Sequence, residues 1–431
     1  MKYLMPLMPA KLSSLLATIR NEGWHVALLK TRDYFARRRS GPSIGATGQN
    51  GTYLIPFWRD IAGHDAFHVS AAPATLSKRR RITMIGDLNL PQCRKYRVEQ
   101  PQELWQALGV SYEYAHYEDV PRAVALLQDA THVMFYRTQN RPLTSMLLYE
   151  ARRLRLPVLY DLDDPLFSVS AYETYQNMAA LPAAMKTHFV REAPLYLDAM
   201  NMADIITVST PGMRDHTLSY TNRPVHFRRN FADNETLTAA MVALTSLVRN
   251  PVPFRVAFAS GSMGHEVDFA LIAEDIVAFL DAAPDRQLVI LGHFDENLLP
   301  EALRPRVESH PFTDYASYLA TLASVDCAVM PLSDDIFNHC KSAVRVIDAS
   351  SVAVPSLVGD VSDMAVMVRD GETGRVLGPG ASWREALEAL AADRAGTAAM
   401  GQAARADLLA SWTARPIPPV AERAIIDWVM A

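Results

Sequence analysis

The chain alternates between short apolar runs and amphipathic segments from about residue 81 onward. Apolar, β-branched runs predict buried strands, and a first series lies at 81–86, 132–136, 157–162 and 204–209. Between these runs, segments such as 142–155 carry apolar positions at the spacing of a helix face. Strands that alternate with helices predict a parallel sheet that is covered on both faces.

A second series of the same kind follows the segment 231–253. Strands are predicted at 255–260, 287–292, 327–332 and 355–360, with helices at 267–282 and 314–325. The pattern therefore predicts an α/β protein with two Rossmann-like, doubly wound domains that face a cleft. Ligands of such sheets bind beyond the carboxyl ends of the strands, so these ends are where chemistry is expected.

The segments outside the two series set the domain boundaries. Residues 1–79 predict an N-terminal extension, with a short amphipathic helix near 10–20 and a Gly-rich loop at 40–51. The last residues, ERAIIDWVMA, predict a terminal helix after a Pro-rich stretch. Whether this helix returns to the first domain is left open. The predicted parts are an extension at 1–79, domains at 80–235 and 250–410, and a C-terminal helix within 411–431.

Composition narrows the setting in which the protein works. The net charge of −5 argues against a general nucleic-acid binder. Three scattered cysteines favour a reducing compartment, and no apolar run approaches the roughly 20 residues that span a bilayer. Pro6, Pro9 and Lys11 interrupt what would be the apolar part of a signal peptide, so a cytoplasmic protein is expected. Basic runs at 37–39 and 78–81 indicate either solvated surface or contact with an anionic membrane face or acceptor.

The most informative stretch is PLSDDIFNHCKSAVRVIDASSVAVPSLVGD, residues 331–360. It predicts strand, loop, helix and strand, with the helix beginning near Lys341 and running through Ala353. Free backbone N–H groups beside Lys341 and Ser342, with Arg345 one turn further on, suit a diphosphate. Asp348 stands two turns beyond Lys341, where its carboxylate could accept hydrogen bonds from ribose hydroxyls. The alternative is an ordinary amphipathic helix with a polar edge.

Two other strand ends carry weaker signals. In FASGSMGHEVDF, residues 258–269, Gly261 and Ser262 lie at a strand-to-helix turn where backbone can approach a ligand closely. His265 follows, either as a ligand-binding residue or as a helix cap. Gly292 ends the strand of LVILG and either borders a nucleobase or forms a plain turn.

Three aspartates follow the apolar run LPVLY in LPVLYDLDDPLF, residues 156–167. They fit a metal-binding D-x-D, a pair of catalytic carboxylates, or a strand end with a cap. Strand alternation places Asp161 and Asp163 on the same side. Asp161 is predicted to cap the turn that Pro165 begins. Asp163 and Asp164 are the candidates to face a substrate.

These stretches together resemble retaining glycosyltransferases of GT-B architecture, in the group known as group 1 or family 4. The resemblance is carried by FNHCKSAVRVIDASSVAVPSLVGD, VRDGETGRVLGP, LPVLYDLDDPLF and KYRVEQPQELWQALGV, and covers roughly residues 81–410. It implies two facing Rossmann-like domains, with the acceptor side at 80–235 and the nucleotide-sugar side at 250–410. It also implies transfer of a sugar, with retention of configuration, from a nucleoside-diphosphate sugar to a glycan, lipid-linked or protein acceptor.

The resemblance also distributes roles among the candidate residues. No metal and no separate cofactor is expected, because the metal-binding D-x-D belongs to a different glycosyltransferase architecture. A peripheral contact with the inner face of a membrane stays an open alternative. The implied residues are Asp163, Asp164 and Lys341 for catalysis, Gly261, Ser262, His265, Gly292, Asn338, Lys341, Ser342, Arg345 and Asp348 for the donor, and Tyr96, Arg97 and Arg137 for the acceptor.

Two departures from the family pattern keep other functions open. The first of its two acids falls on Cys340, and Asn338 or the pair Asp334-Asp335 are the candidates to replace it. The usual Arg and Lys after the first strand of the second domain are missing, which leaves the positive charge to His265, Lys341 and Arg345. The alternatives are a catalytically inactive GT-B protein that binds nucleotide sugar or glycan, and another GT-B enzyme such as an epimerase or phosphorylase.

Overall fold

The computed structural model describes residues 79–90, 93–247, 252–260, 264–295, 299–414 and 420–431, together with Ile19, Trp24, Ala27, Leu28 and Thr31. Both sheets belong to one compact unit, residues 66–140 and 144–431, and a second unit comprises 1–65 and 141–143. Within the second unit the Thr31 hydroxyl donates to the Ala27 carbonyl, a helical spacing. The predicted loop at 40–51 and nearly all of the predicted helix at 10–20 lie outside the described residues.

The first domain is built on a parallel sheet of six strands in the order β2-β1-β3-β4-β5-β6. Its central strands are buried along almost their whole length because helices cover both faces. The strands are β1 (Arg81–Gly86), β2 (Ser111–His116), β3 (His132–Tyr136), β4 (Val158–Leu162), β5 (Ile205–Val208) and β6 (Val225–Phe227). Its helices are α1 (Gln100–Ala107), α2 (Val120–Gln128), α3 (Pro142–Arg153), α4 (Val169–Thr174), α5 (Ala183–Asn201) and α6 (Pro211–Thr217), with a π-helical turn at Arg94–Glu99 before α1 and a 3₁₀ turn at Gln176–Ala180 after α4. Helix α7 (Asn234–Ser246) connects the two sheets and packs on the second domain, where Ala240 and Ala243 lie in the same apolar cluster as Leu319 and Leu322.

The second domain repeats this architecture with a parallel sheet in the order β12-β11-β10-β7-β8-β9. Its strands are β7 (Phe254–Ser260), β8 (Arg286–Gly292), β9 (Val307–His310), β10 (Cys327–Met330), β11 (Ser356–Gly359) and β12 (Gly374–Leu377). Its helices are α8 (Glu266–Ala270), α9 (Ala273–Asp281), α10 (Tyr315–Ala323), α11 (Ile336–His339), α12 (Val344–Ser351), α13 (Ser362–Met367), α14 (Trp383–Ala392) and α15 (Arg394–Ser411), with a 3₁₀ turn at Glu301–Arg306.

Local chemistry explains where many of these helices begin. An N-cap side chain that accepts a hydrogen bond from the backbone N–H three residues on satisfies one of the free donors of the first turn. In the part of the chain that the structure describes, eight helices begin in this way, and their caps are Asp119, Ser168, Thr210, Asp233, Asp314, Asp335, Ser382 and Asp393.

The chain ends on the first domain. Helix α16 (Arg423–Met430) buries Ile425 and Val429 in the same apolar cluster as Ile82 and Met84 of β1. On the way, Val420 accepts a backbone hydrogen bond from the Arg229 N–H at 2.7 Å. The apolar face of this amphipathic helix thus covers apolar surface of the first sheet.

The strands that the hydrophobic pattern missed are short or lie at sheet edges. β2, β6 and β9 are edge strands: β2 buries only Tyr112 and Ala115, the three-residue β6 buries only Val225, and the four-residue β9 buries none of its side chains fully. Edge strands need not be continuous apolar runs, because one or both faces meet solvent. The predicted helix at 267–282 is divided into α8 and α9. Helix α12 begins at Val344 rather than near Lys341, so that Lys341 and Ser342 lie in the loop that enters it.

Candidate active site

The strand orders locate a site in each domain. Each order reverses at one point, between β1 and β3 in the first sheet and between β7 and β10 in the second. Open α/β sheets bind ligands beyond the carboxyl ends of strands at such a reversal. Arg137 directly follows β3, and His265 and Asn338 lie in the segments after β7 and β10. The topology therefore brings candidates that are remote in sequence to these two edges.

An arginine lies between the two candidate carboxylates of the first domain. Arg137 Nη1 is 3.5 Å from Asp163 Oδ1, and Nη2 is 3.6 Å from Asp164 Oδ2. The Tyr136 hydroxyl donates to Asp163 Oδ2 at 3.1 Å. Burial and the neighbouring charge of Asp163 raise the pKa of Asp164 to about 6, and positive charge at Arg137 and Lys341 opposes the rise. Asp164 is thus ionised near neutral pH and sensitive to a lysine of the other domain.

The third aspartate does not cap a turn. Asp161 lies inside β4 with its side chain fully buried, and accepts two hydrogen bonds from Arg97, at 2.9 and 2.6 Å, and one from Thr207 at 2.6 Å. The prediction that Asp161 caps the turn at Pro165 is therefore wrong. Arg97 is as fully buried as Asp161, so its guanidinium is not presented to a ligand, and the expected acceptor contact is not supported at this residue.

Lys341 lies where the two domains meet. Its ammonium donates to the Tyr175 hydroxyl of the first domain at 2.9 Å and lies 5.0 Å from the centroid of the Tyr175 ring. Burial lowers the pKa of Lys341 to about 8, against the opposing attraction of Asp268 and Asp164. A lysine with this pKa carries its charge at neutral pH, which suits an anionic ligand, and loses it above about pH 8.

His265 is held by a carboxylate that also receives a residue of the first domain. His265 Nδ1 lies 2.8 Å from Asp268 Oδ2, and Asn177 Nδ2 donates to the same oxygen at 2.8 Å. Burial lowers the pKa of His265 to about 4, so the imidazole is neutral near pH 7. The carboxylate fixes the tautomer with the proton on Nδ1. Positive charge at this edge therefore comes from Lys341 and Arg345, and not from His265 as the sequence suggested.

The three candidates to replace the family's first acid have different surroundings. Asp334 is exposed and pairs with His339 at 2.7 Å. Asp335 is the N-cap of α11 and also accepts from the backbone N–H of Gln176 at 3.4 Å. Asn338 is fully buried, and its Oδ1 has no hydrogen-bond partner among the described residues. Asn338 is thus the candidate of the three with an unused acceptor.

Asp348 is enclosed by tyrosines from both domains. Its Oδ1 accepts from the Tyr315 hydroxyl at 2.6 Å and from the Tyr96 hydroxyl at 3.1 Å. Burial raises the pKa of Asp348 to about 7, while the two tyrosine hydrogen bonds oppose the rise. Tyr96, expected on the acceptor side, is itself buried and directed at this carboxylate. The contact links the two domains through the residue expected to bind ribose.

Ser342 and Arg345 flank the start of α12. Ser342 Oγ accepts a hydrogen bond from Asn230 Nδ2 of the first domain at 3.0 Å. Arg345 lies in the first turn of α12, and its Nη1 is 3.5 Å from the Ala259 carbonyl. Ala343, the N-cap of α12, has no side chain that could accept a hydrogen bond from the first turn. The backbone N–H groups at this positive end of the helix dipole are therefore not capped by a side chain.

Gly292 requires a backbone conformation and a close approach that favour glycine. Gly292 has φ +104°, and a Cβ there would collide with the Ser260 carbonyl oxygen, so another residue is not accommodated. It ends β8 beside the carboxyl end of β7, at the edge where the donor was expected. Gly261 and Ser262 lie outside the described residues.

Several residues at the cleft were missed by sequence reasoning. Tyr175 and Asn177 come from the segment after α4, and Asp268 and Asn230 follow β7 and β6. Tyr175, Asn177 and Asn230 belong to no motif, and Asp268 lies within FASGSMGHEVDF but was given no role there. A signal existed for Asp268, a buried acid three residues after His265 in the first turn of a helix, but its partners are set by the packing of the domains.

Two possible features are absent from the described part of the chain. No group of three or more His, Cys, Asp or Glu residues there is arranged to hold a metal ion. Among the described helices, none is long and apolar enough to cross a membrane.

Comparisons with known proteins identify the architecture. Three solved structures that align with 78% of this chain and 95–96% of their own are a sucrose-phosphate synthase from Thermosynechococcus elongatus (TM-score 0.54, 16% identity), Anabaena HepE in complex with UDP and glucose (0.52, 12%) and a glycosyltransferase from Rickettsia africae (0.52, 9%). The fold is GT-B. This confirms the predicted fold class. No protein-family model and no curated protein matches the sequence.

Contacts between the two GT-B domains converge on the loop between α11 and α12. Residues of the first domain reach the loop between α11 and α12 at three points: Tyr175 at Lys341, Asn230 at Ser342, and Thr210, whose hydroxyl donates to the Cys340 carbonyl at 3.0 Å. This loop therefore lies on the cleft between the two GT-B domains, with the candidate donor residues on one side and Asp163 and Asp164 on the other.

Proposed function

We propose that the protein is a glycosyltransferase that moves a sugar from a nucleoside-diphosphate sugar to a glycan, lipid-linked or protein acceptor, with retention of configuration. The observation that carries the proposal is the position of Lys341 at the entrance of α12, where its ammonium meets the Tyr175 hydroxyl of the other domain at 2.9 Å. A phosphate-binding cation and a substrate-facing carboxylate on the two sides of one cleft are what sugar transfer requires.

The donor diphosphate is assigned to the start of α12. Lys341 supplies a positive charge, Ser342 a hydroxyl, and Arg345 a guanidinium one turn along, beside the N–H groups of the first turn. When the bond between the anomeric carbon and the diphosphate oxygen breaks, negative charge grows on the leaving diphosphate. Preorganised positive groups stabilise this charge more in the transition state than in the ground state.

The sugar and the acceptor are assigned to the side of the cleft that carries Asp163 and Asp164. Asp164, with its pKa near 6, is ionised at neutral pH and can hold the acceptor hydroxyl or take its proton. The positive charge of Arg137 between the two carboxylates reduces the electrostatic repulsion between them. Asn338 Oδ1, buried and unpartnered among the described residues, is the acceptor proposed for a donor-sugar hydroxyl in place of the family's first acid.

The UDP-bound neighbour supports a nucleoside-diphosphate ligand for this fold. HepE, at TM-score 0.52, was solved with UDP and glucose. A uridine donor is thus the first to test on this chain. Metal-independent transfer is part of the proposal, because Arg137 already supplies the positive charge beside the aspartate pair.

One observation favours a second candidate, a GT-B protein that binds nucleotide sugar without turnover. Cys340 stands where the family has an acid, is buried, and has a thiol whose pKa is raised to about 12 chiefly by burial. A neutral thiol cannot replace a carboxylate as an acceptor for sugar hydroxyls.

A panel of nucleoside-diphosphate sugars separates the two candidates. Thermal shift identifies the donor that stabilises the protein, and nucleotide release with and without added acceptors then measures turnover. We expect one donor to raise Tm and to release nucleoside diphosphate in the wild type, and at a much lower but measurable rate in Asp164→Asn. Saturable binding without release from any donor supports the second candidate, and no binding of any nucleotide overturns both.

A further inference from the structure

The side-chain amide of Asn230 connects the core of the first domain to the proposed donor site. Asn230 is 4% exposed, and its Nδ2 donates to Ser342 Oγ of the second domain at 3.0 Å. Ser342 directly follows Lys341 and precedes α12. Asn230 itself belongs to none of the motifs in the sequence.

Arg97 determines the orientation of the Asn230 amide. Arg97 Nη1 lies 3.2 Å from Asn230 Oδ1. Because a guanidinium only donates hydrogen bonds, the oxygen of the amide must face Arg97 and its NH₂ must face Ser342. Arg97 cannot turn away, since it is fully buried and bound through two nitrogens to Asp161.

The fixed amide decides where the Ser342 proton points. A hydroxyl oxygen that accepts from Asn230 keeps its own proton for a different acceptor. No other hydrogen bond of Ser342 Oγ is found in the part of the chain that the structure describes. A diphosphate beside Lys341 offers acceptor oxygens that favour such a donor.

We propose that Asn230 is a positioning residue for donor binding: the chain Asp161–Arg97–Asn230 orients the Ser342 hydroxyl so that it donates its proton to a diphosphate oxygen. This inference rests on the proposed function. The direction of each hydrogen bond in this series is fixed up to Asn230, because the Asp161 carboxylate can only accept and the Arg97 guanidinium can only donate. The same contact makes full donor affinity depend on the first domain lying against the second.

The test is a double-mutant cycle on nucleotide affinity. Asn230→Asp keeps the size of the side chain but makes both of its oxygens acceptors, so that Ser342 must donate to it and turns its proton away from the ligand. Calorimetry with UDP, GDP and ADP near neutral pH measures Kd for the wild type, Asn230→Asp, Ser342→Ala and the double variant. We expect Asn230→Asp and Ser342→Ala each to weaken binding about tenfold or more, as the loss of a hydrogen bond to a charged group does.

The coupling between the two substitutions distinguishes orientation from added charge. In the Ser342→Ala background, Asn230→Asp should cost clearly less than in the wild type, because no hydroxyl remains to be turned. An equal cost in both backgrounds would mean simple charge repulsion and would overturn the inference. Asn230→Ala gives the same comparison if Asn230→Asp does not fold, with a severalfold loss expected in the wild-type background and none beside Ser342→Ala.

The outcome also separates this inference from the proposed function. A wild type that binds none of the three nucleotides contradicts the proposed function, and the inference fails with it. A wild type that binds one of them tightly, with additive effects of the two substitutions, contradicts the inference alone.

Discussion

The ammonium of Lys341 donates a 2.9 Å hydrogen bond to the hydroxyl of Tyr175, across the boundary between the two GT-B domains. Tyr175 also stacks on Phe337 of the second domain, with ring centroids 4.2 Å apart. The neighbouring Gln176 and Asn177 contact Asp335 and Asp268. The segment after α4 is thus attached to the residues proposed to bind the donor, and a diphosphate at Lys341 must share or displace the Tyr175 contact.

Removal of the Lys341 side chain should abolish sugar transfer and leave the fold intact. Lys341→Ala removes the charge proposed to stabilise the leaving diphosphate, so nucleotide release should fall by about a hundredfold or more, the size of effect seen when such a group is removed. The measurement is release of nucleoside diphosphate, with Tm as the check on folding. Arg423→Ala removes a cation from a solvent-exposed ion pair on α16 and should keep wild-type turnover. Unchanged turnover in Lys341→Ala would contradict the assignment of the donor site.

The pH dependence of kcat/KM should be bell-shaped. Asp164, with a pKa raised to about 6, must be ionised to act on an acceptor hydroxyl, so the rate rises with pH through that value. Lys341, with a pKa lowered to about 8, loses its charge above that value, so the rate falls again. Profiles of Asp164→Asn and Lys341→Arg provide the controls: the first should lose the acidic limb and the second the basic limb. A basic limb that persists unchanged in Lys341→Arg would show that another group causes it.

Chelation should not inhibit the reaction. Arg137 lies within 3.6 Å of an oxygen of each candidate carboxylate, where a metal-binding D-x-D would need its cation. Rates should therefore be equal with EDTA and with added Mg²⁺ or Mn²⁺. A clear stimulation by either ion that disappears in Asp163→Asn would identify the pair as a metal site after all.

Loss of Asp161 should destabilise the first domain more than loss of Arg97. Asp161 faces two buried guanidinium groups, Arg97 at 2.6 Å and Arg228 at 3.6 Å. Asp161→Asn leaves both without a counter-charge and should lower the free energy of unfolding by ~3–5 kcal/mol. Arg97→Met should cost less, because Arg228 still pairs with the aspartate.

Urea unfolding measures these differences, and an exposed pair provides the control. Arg423 and Asp427 form a solvent-exposed ion pair on α16, so Arg423→Met should change the free energy of unfolding by less than about 1 kcal/mol. If Asp161→Asn were no more destabilising than Arg423→Met, the buried cluster would not be the electrostatic centre of the first domain.

A methyl group at Gly212 should weaken the approach of the two domains. Gly212 lies in the first turn of α6, and a Cβ there would collide with the backbone carbonyl of His339 in the second domain. Gly212→Ala should therefore lower kcat/KM by about tenfold, since small displacements of catalytic groups cost this much or more. Gly378→Ala places its Cβ in open space and should leave kcat/KM unchanged. Equal rates in both variants would show that turnover does not need this contact.

Much of the fold could be predicted from local pattern. The runs at 81–86 and 132–136 coincide with β1 and β3, because strands buried on both faces are continuously apolar. The edge strand β2 was not predicted, since its sequence SYEYAH mixes polar and apolar residues and only Tyr112 and Ala115 are buried. At the site, Lys341 and Ser342 could be picked out as polar residues between a strand and a helix.

The sequence by itself determined the two α/β domains and the strand ends at which polar groups gather, because hydrophobic periodicity decides which faces are buried. Only the tertiary structure decided that Arg97 pairs with Asp161, and that Tyr175 and Asn230 meet Lys341 and Ser342. These partners lie 64 to 166 positions apart in the chain. Contacts of this range depend on how whole sheets and domains pack, which no local pattern of side chains records.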